Sequence, residues 1–165
     1  MAFVLSALTS NAFAFPTWQE LRNEIINYYK TIDTSKQWCI DSDGDLEITY
    51  TSSSGSERKA YIMMIEGEQA IPDMPPAVCY FESTTPAKAN AKKMIECADA
   101  INWALPGVGQ VYYKNDAICV ASSIYAYSAP YVAMQITQLG TFSSMAIDLA
   151  EKCTDYVTDS FFQYF

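Results

Sequence analysis

The chain has 165 residues and a formal net charge of −9; 50% of its residues are hydrophobic and 18% are charged, which predicts one folded domain with an adequate core. Because acidic residues dominate and no basic cluster is longer than Lys92-Lys93, nucleic-acid binding is not expected. Histidine is absent, which removes the most common general base and metal ligand, and no apolar run approaches the length that spans a bilayer.

Residues 1–16 form an apolar segment and a candidate partial signal peptide. The segment contains Ala12-Phe13-Ala14, which has the small-x-small form of a signal-peptidase site, although no basic stretch precedes the apolar run. Either it is the second half of an export signal, or it packs against the domain. We favour export, and therefore an exported or periplasmic protein over a cytoplasmic one. Residues 17–165 form the single predicted domain.

A first helix is predicted after Thr17, because Thr17 and Glu20 have the spacing of a capping box. Apolar residues then recur at helical spacing, and the helix is expected to end near Asp33-Thr34. Its predicted buried stripe is Trp18, Leu21, Ile25, Tyr28 and Ile32.

Three or four strands follow. The apolar pattern favours a three-residue loop with Gly44 in the left-handed conformation, because this register pairs Ile40 with Leu46. After a turn at Ser52–Ser56, a strand at 58–65 is apolar on both faces and is therefore expected to be central. A proline-rich loop at 67–76 leads to a short fourth strand at 77–81.

The second helix is predicted to start at Thr85-Pro86, a capping residue followed by proline at the first helical position. Pro106-Gly107 is expected to end it. Its predicted buried stripe is Ala91, Met94, Ile95, Ala98, Ile101 and Leu105.

The last elements are a hairpin and a long helix. Asn115-Asp116 suits a two-residue loop, which sets Tyr113 opposite Ile118. After a break at Pro130, an amphipathic helix of about thirty residues is predicted to pack on the sheet, with Gly140 as a weak point. Its predicted buried stripe is Leu139, Phe142, Ala146, Leu149, Cys153 and Tyr156.

The predicted element order is α-β-β-β(-β)-α-β-β-α. No linker is long enough to separate two domains. This order predicts an α+β fold, with a mostly antiparallel sheet and flanking helices.

One acidic loop has spacing that resembles a calcium site. Asp41, Asp43 and Asp45 present carboxylates at alternate positions. The calcium-hand pattern fails, however, because glycine stands at the fourth place of the loop and Ser52 at the twelfth. A solvated hairpin turn is favoured, and neither a metal nor an organic cofactor is predicted.

The cysteines give no catalytic site either. Cys79 and Cys119 lie in apolar strands without a histidine to accept their proton, so no catalytic residue is predicted and the protein is not expected to be an enzyme. Buried free thiols are favoured, and one or two disulfides are an alternative if the protein is exported. The five cysteines are Cys39, Cys79, Cys97, Cys119 and Cys153.

Tyrosines and phenylalanines are the remaining candidates for binding. The strand tyrosines could form a stacking platform, but cross-strand packing is favoured. They are Tyr61, Tyr80, Tyr112, Tyr113 and Tyr125. An aromatic cluster near the C-terminus either completes the core or forms an exposed interaction patch. This cluster is Phe161, Phe162, Tyr164 and Phe165.

Three stretches carry a family resemblance: Trp38–Asp45, Ile101–Trp103 and Gly109–Asp116. In this element order they resemble the bacterial YbjN-type family of sensory-transduction regulators, with a type III secretion chaperone-like fold, over roughly Thr17–Thr158. The resemblance implies a non-enzymatic protein-binding or regulatory module, often a homodimer, and it supplies no catalytic residues.

Two function classes are therefore expected. The first is a module that binds a polypeptide, either a second copy of itself or a client, over an apolar surface. The second is an exported or periplasmic small-ligand-binding domain, which the candidate export signal motivates.

Overall fold

The structure, a computed structural model, describes residues 15–33, 35–65, 75–86, 90–106 and 109–153. Within these residues the helices and strands occur in the predicted order, and every strand pairing is antiparallel, so the predicted α+β fold is confirmed. Most of the N-terminal apolar segment, nearly all of the proline-rich loop and the aromatic C-terminal cluster lie outside the described residues. The elements are α1 (Trp18–Ile32), β1 (Gln37–Ile40), β2 (Leu46–Thr51), β3 (Glu57–Ile65), β4 (Ala77–Thr84), α2 (Ala91–Ala104), β5 (Gln110–Lys114), β6 (Ala117–Tyr125) and α3 (Ala129–Glu151).

The strands form one six-stranded sheet in the order β1-β2-β3-β4-β6-β5. As predicted, β3 is central, because it pairs with a strand on each side. β4 extends through Thr84, beyond the predicted 77–81, and pairs with β6. The edges of the sheet are therefore β1 and β5.

Both predicted hairpin turns are confirmed. Gly44 has a φ of +87°, and Ile40 pairs with Leu46. Asn115 and Asp116 have φ values of 51° and 61°, and the predicted register of this hairpin is present. The left-handed conformation of Asn115 and Asp116 gives this two-residue loop a twist that matches the twist of the flanking strands.

The start of α1 is predicted correctly, and its buried face only in part. The Glu20 N–H donates to Thr17 Oγ1 at 3.3 Å, and the Thr17 N–H donates to a Glu20 carboxylate oxygen at 2.7 Å, which completes the capping box. The buried residues are Leu21, Ile25 and Tyr29. Tyr29 replaces the predicted Tyr28, and Ile32 is 53% exposed, because the chain leaves the helix there.

α2 begins later than predicted. Its N-cap is Asn90, whose side chain accepts the Lys93 N–H at 3.0 Å, instead of Thr85. The buried residues are Met94, Cys97, Ala98 and Ile101. The predicted stripe is wrong at Ala91 and Ile95, which are exposed because a helix that packs through one face buries only a narrow stripe.

α3 has 23 residues and starts at the predicted proline break. Its predicted stripe is correct at Ala146 and Cys153, which are buried, and wrong at Phe142. Phe142 is 47% exposed, while Leu139 and Leu149 are only half-buried; Ala146 is buried as predicted, and Tyr156 lies outside the described residues. The buried residues are Val132, Ala133, Ile136, Gly140, Ser143, Ala146, Ile147 and Ala150. Small side chains mark this face because the helix lies close to its neighbours.

Gly140 is where that approach is closest. A Cβ atom at Gly140 would lie 2.8 Å from the Tyr29 hydroxyl oxygen and 3.1 Å from Tyr80 Cε2. Both tyrosines are buried, so neither ring can move aside at low cost. Gly140, which was predicted to be a weak point of the helix, is needed there because a larger residue would collide with these two rings.

Replacing Gly140 by alanine is expected to lower the free energy of unfolding by about 1 kcal/mol, because overpacking outweighs the gain in helix propensity. Urea denaturation measures the change. The matched control is Gln138→Ala, at an exposed position of the same helix, which should change stability by less than about 0.5 kcal/mol. Adding Tyr29→Phe removes the nearest oxygen and should recover part of the loss. A Gly140→Ala protein at least as stable as the parent would contradict the close packing.

Both hydrophobic clusters of the core lie on one face of the sheet. The first joins α1 and the N-terminal half of α3 to β2, β3 and β4, and the second joins α2 and the C-terminal half of α3 to β5 and β6. The strand residues of these clusters alternate with residues that belong to neither. The three described helices therefore cover one face and leave the other without a helix.

Candidate interaction surface

The face on which no described helix packs has an apolar centre, which we call the open face. It consists of Tyr61, Met63, Cys79, Phe81, Tyr112, Cys119 and Ala121. Tyr61, Phe81 and Ala121 form one row across three neighbouring strands. All of its residues except Cys119 are partly exposed to solvent. A contiguous apolar surface of this kind is typical of a protein interaction site.

The charges around the open face balance, although the chain as a whole is acidic. On the described strands this face carries two acidic residues, Glu47 and Glu57, and two basic residues, Lys59 and Lys114. Lys59 Nζ lies 2.5 Å from a Glu47 carboxylate oxygen. A partner that covers this face therefore meets little net charge.

The five strand tyrosines, for which cross-strand packing was favoured over a stacking platform, lie in different environments. Tyr61 and Tyr112 belong to the open face, whereas Tyr80 is buried on the covered face. The Tyr113 hydroxyl donates to Asp116 at 2.8 Å, and Tyr125 is 49% exposed at the end of β6. These tyrosines do not form a continuous stacking surface.

The two candidate nucleophiles, Cys79 and Cys119, both lie on the open face. Burial raises the pKa of each thiol; a backbone hydrogen bond at Ser122 offsets this in part for Cys79, and Lys114 does so for Cys119. Thiols with a raised pKa are poor nucleophiles at neutral pH. Cys39, the remaining free cysteine, is exposed on edge strand β1.

The favoured interpretation of five free thiols is wrong for two cysteines. Cys97 of α2 and Cys153, two residues beyond α3, form a disulfide with Cα atoms 6.3 Å apart. Both are buried within the second hydrophobic cluster. The structure thus has the disulfide that was left open as the alternative for an exported protein.

The acidic loop between β1 and β2 is organised around its first carboxylate. Asp41 Oδ1 accepts the N–H groups of Asp43 and Asp45 at 3.0 and 2.9 Å, and so stabilises the turn. Burial and the neighbouring carboxylates of Asp41 and Asp43 raise the pKa of Asp45, and Arg22 partly offsets them. No set of three Cys, Asp or Glu residues in the described ranges has the arrangement of a metal site.

A buried polar cluster under α3 was not predicted. Glu82 is fully buried, and it accepts hydrogen bonds from the hydroxyls of Tyr50 and Tyr80, the latter at 3.0 Å. Burial raises the pKa of Glu82, whereas the two tyrosine hydrogen bonds and Arg58 lower it. A glutamate on the same strand face as Val78 and Tyr80 was the available sequence signal.

Arg58 joins this cluster to α3. Its Nη2 atom lies 2.8 Å from a carboxylate oxygen of Asp148 and 2.5 Å from one of Glu151, and the Arg58 side chain is only 5% exposed. The Glu151 carboxylate also accepts the Thr84 hydroxyl at 3.2 Å. Because Arg58 of β3 pairs with Asp148 and Glu151 of α3, the cluster ties the helix to the sheet, and we assign it a structural role.

One cleft opens at the end of β6. It has a volume of about 490 Å³ and is lined by Ile124, Tyr125, Tyr127 and Tyr131. Phe15 packs edge-on against Tyr127, with ring centroids 6.4 Å apart. The lining is mostly apolar, and the cleft is wide open to solvent.

Compared with known proteins, the chain matches no family model, no curated protein and no solved structure. No helix in the described ranges combines the length and hydrophobicity needed to cross a bilayer.

Proposed function

We propose that the protein is a non-enzymatic module that binds another polypeptide through the open face. The observation that carries this proposal is the apolar centre of a sheet face on which no described helix packs, whereas the other face is packed with helices. The near-neutral surroundings of Phe81 support it, because the partner then need not overcome the acidic charge of the chain.

The partner is either a second copy of the chain, giving a homodimer, or a client polypeptide. Sheets pack face to face at about 10 Å, so two open faces can interdigitate their aromatic side chains. The resemblance to YbjN-type regulators and type III secretion chaperones agrees with either partner and stays a prediction.

The test compares two charge insertions. Phe81→Asp places a carboxylate in the apolar centre and should abolish association. Gln138→Asp, at an exposed position of α3 on the other side of the sheet, should leave association unchanged. Light scattering over a range of protein concentrations measures self-association. Circular dichroism establishes that both variants are folded.

The free thiols of the open face supply a second measurement. If a second copy covers this face, labelling of Cys79 should slow as protein concentration rises, and in the Phe81→Asp variant it should not. For a client, the same protection should appear when the client is added. A protein that stays monomeric, and in which no added polypeptide protects Cys79, would refute the proposal.

A second candidate function is exported small-ligand binding. The aromatic cleft lined by Tyr125, Tyr127 and Tyr131 favours it, and the Cys97–Cys153 disulfide supports an oxidising compartment outside the cytoplasm. Ligand-induced quenching of tyrosine fluorescence by small aromatic compounds, without any effect on Cys79 labelling, would favour this function over polypeptide binding.

A further inference from the structure

The two edge strands of the sheet, β1 and β5, differ in the hydrogen bonds that their outward backbone groups make. At the β5 edge, the Asn102 side chain of α2 donates to the Val111 carbonyl at 2.7 Å and accepts the Val111 N–H at 2.9 Å. This amide satisfies the outward backbone groups of Val111, so it blocks the pairing of another strand with β5 at that position.

The β1 edge has no such cover in the described part of the chain. The Asp41 N–H donates to the Asp45 carbonyl at 3.0 Å, which closes the first hairpin. In an antiparallel ladder, hydrogen-bonded and non-hydrogen-bonded pairs alternate. The backbone N–H and C=O groups of Cys39 therefore point toward β2, whereas those of Trp38 and Ile40 point away from the sheet. No hydrogen bond from the described residues satisfies these outward groups.

The surroundings of this edge define the chemistry of a partner. Ile40 is 53% exposed, so the edge offers an apolar contact. The Asp41, Asp43 and Asp45 carboxylates follow directly, and one cation, Arg22, donates to the Gly44 carbonyl at 2.8 Å. The three carboxylates thus outnumber the neighbouring cation and form a local negative field at one end of β1.

We propose that β1 binds an extended segment of a client polypeptide as an added antiparallel or parallel strand, with an apolar residue against Ile40 and lysine or arginine at the acidic loop. Backbone hydrogen bonds to Trp38 and Ile40 give the affinity, and the charge pairing gives the selectivity. This proposal goes beyond binding at the open face, because it uses the edge of the sheet and a partner of defined charge.

A second copy of the chain fits this edge less well. Lys36 is the basic residue nearest to β1 in sequence, and its ammonium group lies over the Tyr29 and Tyr50 rings, 5.0 and 5.6 Å from their centroids, and 3.8 Å from Asp33. It is therefore directed inward and cannot neutralise the acidic loop of another copy when two β1 strands pair. A basic client supplies the charge that a second β1 strand does not.

The test uses fluorescently labelled peptides of alternating valine and threonine with flanking lysines, and measures their binding by fluorescence anisotropy. Ile40→Pro removes one outward N–H without breaking the hairpin ladder, since proline is tolerated on edge strands. It should weaken binding at least about tenfold, roughly the loss of one well-formed hydrogen bond. Ile40→Val keeps the N–H and should bind as the parent does.

Charge selectivity is tested separately, which keeps the proposal falsifiable if Ile40→Pro fails to fold. Asp43→Asn should weaken binding of the lysine peptide several-fold and leave a serine-flanked peptide unchanged. A peptide in which the central amide nitrogens are methylated should bind poorly to the unmodified protein.

Three outcomes would overturn the proposal: no binding of the lysine peptide, equal binding of a glutamate-flanked peptide, or a dimer that Ile40→Pro dissolves, which would make a second copy the occupant. Phe81→Asp separates the two surfaces. If it abolishes peptide binding while Ile40→Pro does not, the peptide lies on the open face, so polypeptide binding there stands and strand addition at β1 is refuted.

Discussion

Replacing Arg58 by methionine is expected to lower the free energy of unfolding by about 3 to 5 kcal/mol. The guanidinium is almost fully buried and is the positive partner of Asp148 and Glu151, at 2.8 and 2.5 Å. It also lowers the pKa of Glu82, which burial raises. Methionine fills a similar volume but leaves these carboxylates without their cation, and removing one partner of a buried ion pair is far more costly than removing the whole group. Urea denaturation monitored by circular dichroism measures the loss.

The neighbouring residue provides the control. Lys59 pairs with Glu47 at 2.5 Å, but its side chain is 50% exposed on the opposite sheet face, so Lys59→Met should leave the urea midpoint close to that of the parent. Neutralising the partners of Arg58 with Asp148→Asn and Glu151→Gln in the methionine variant should restore more than half of the lost stability. An Arg58→Met protein that unfolds at the same urea concentration as the parent would contradict the buried ion pair.

The turns and the element order could be predicted because their determinants are local. Gly44 and the pair Asn115-Asp116 adopt positive φ, and this preference is a property of the residues themselves. The register of each hairpin then follows, since a slip by one residue would move every apolar side chain to the wrong face. The capping box of Thr17 and Glu20 is equally local.

The buried faces of the helices could not be predicted as well, because they depend on what each helix meets. On α3 the large apolar residue Phe142 suggested the core, yet the helix buries Gly140 and Ser143 against its neighbours. Hydrophobic size indicates which face prefers burial, whereas the rings of Tyr29 and Tyr80 determine how much room remains.

The candidate sites needed the structure for a similar reason. An apolar pattern on both faces of β3 predicts a central strand, but it does not reveal that all three described helices pack on the same side and leave Tyr61 uncovered. Likewise, Arg58 meets Asp148, and Asn102 meets Val111, only after the chain has folded. Polar residues that are distant or irregular in sequence give no periodic signal.

Replacing Cys97 and Cys153 by alanine is expected to lower the free energy of unfolding by on the order of 4 kcal/mol, because the disulfide closes a loop with a sequence separation of 56 residues. For a domain of this size, that corresponds to a fall in Tm of about 10 °C. Part of the loss is packing, since both sulfur atoms lie in the cluster that joins α2 to α3.

Reducing agent separates the covalent contribution from the packing contribution. Adding it to the unmodified protein should lower the Tm toward the value of the alanine variant, which should itself be insensitive to reductant. Cys119→Ala is the matched control: this thiol is buried and unpaired, so the variant should keep the full response to reductant. A protein whose Tm is the same with and without reductant, and which releases no additional thiols when reduced and unfolded, would show that Cys97 and Cys153 are not bonded. The structural support for an oxidising compartment would then be lost, and the export prediction would rest on the Ala12-Phe13-Ala14 site alone.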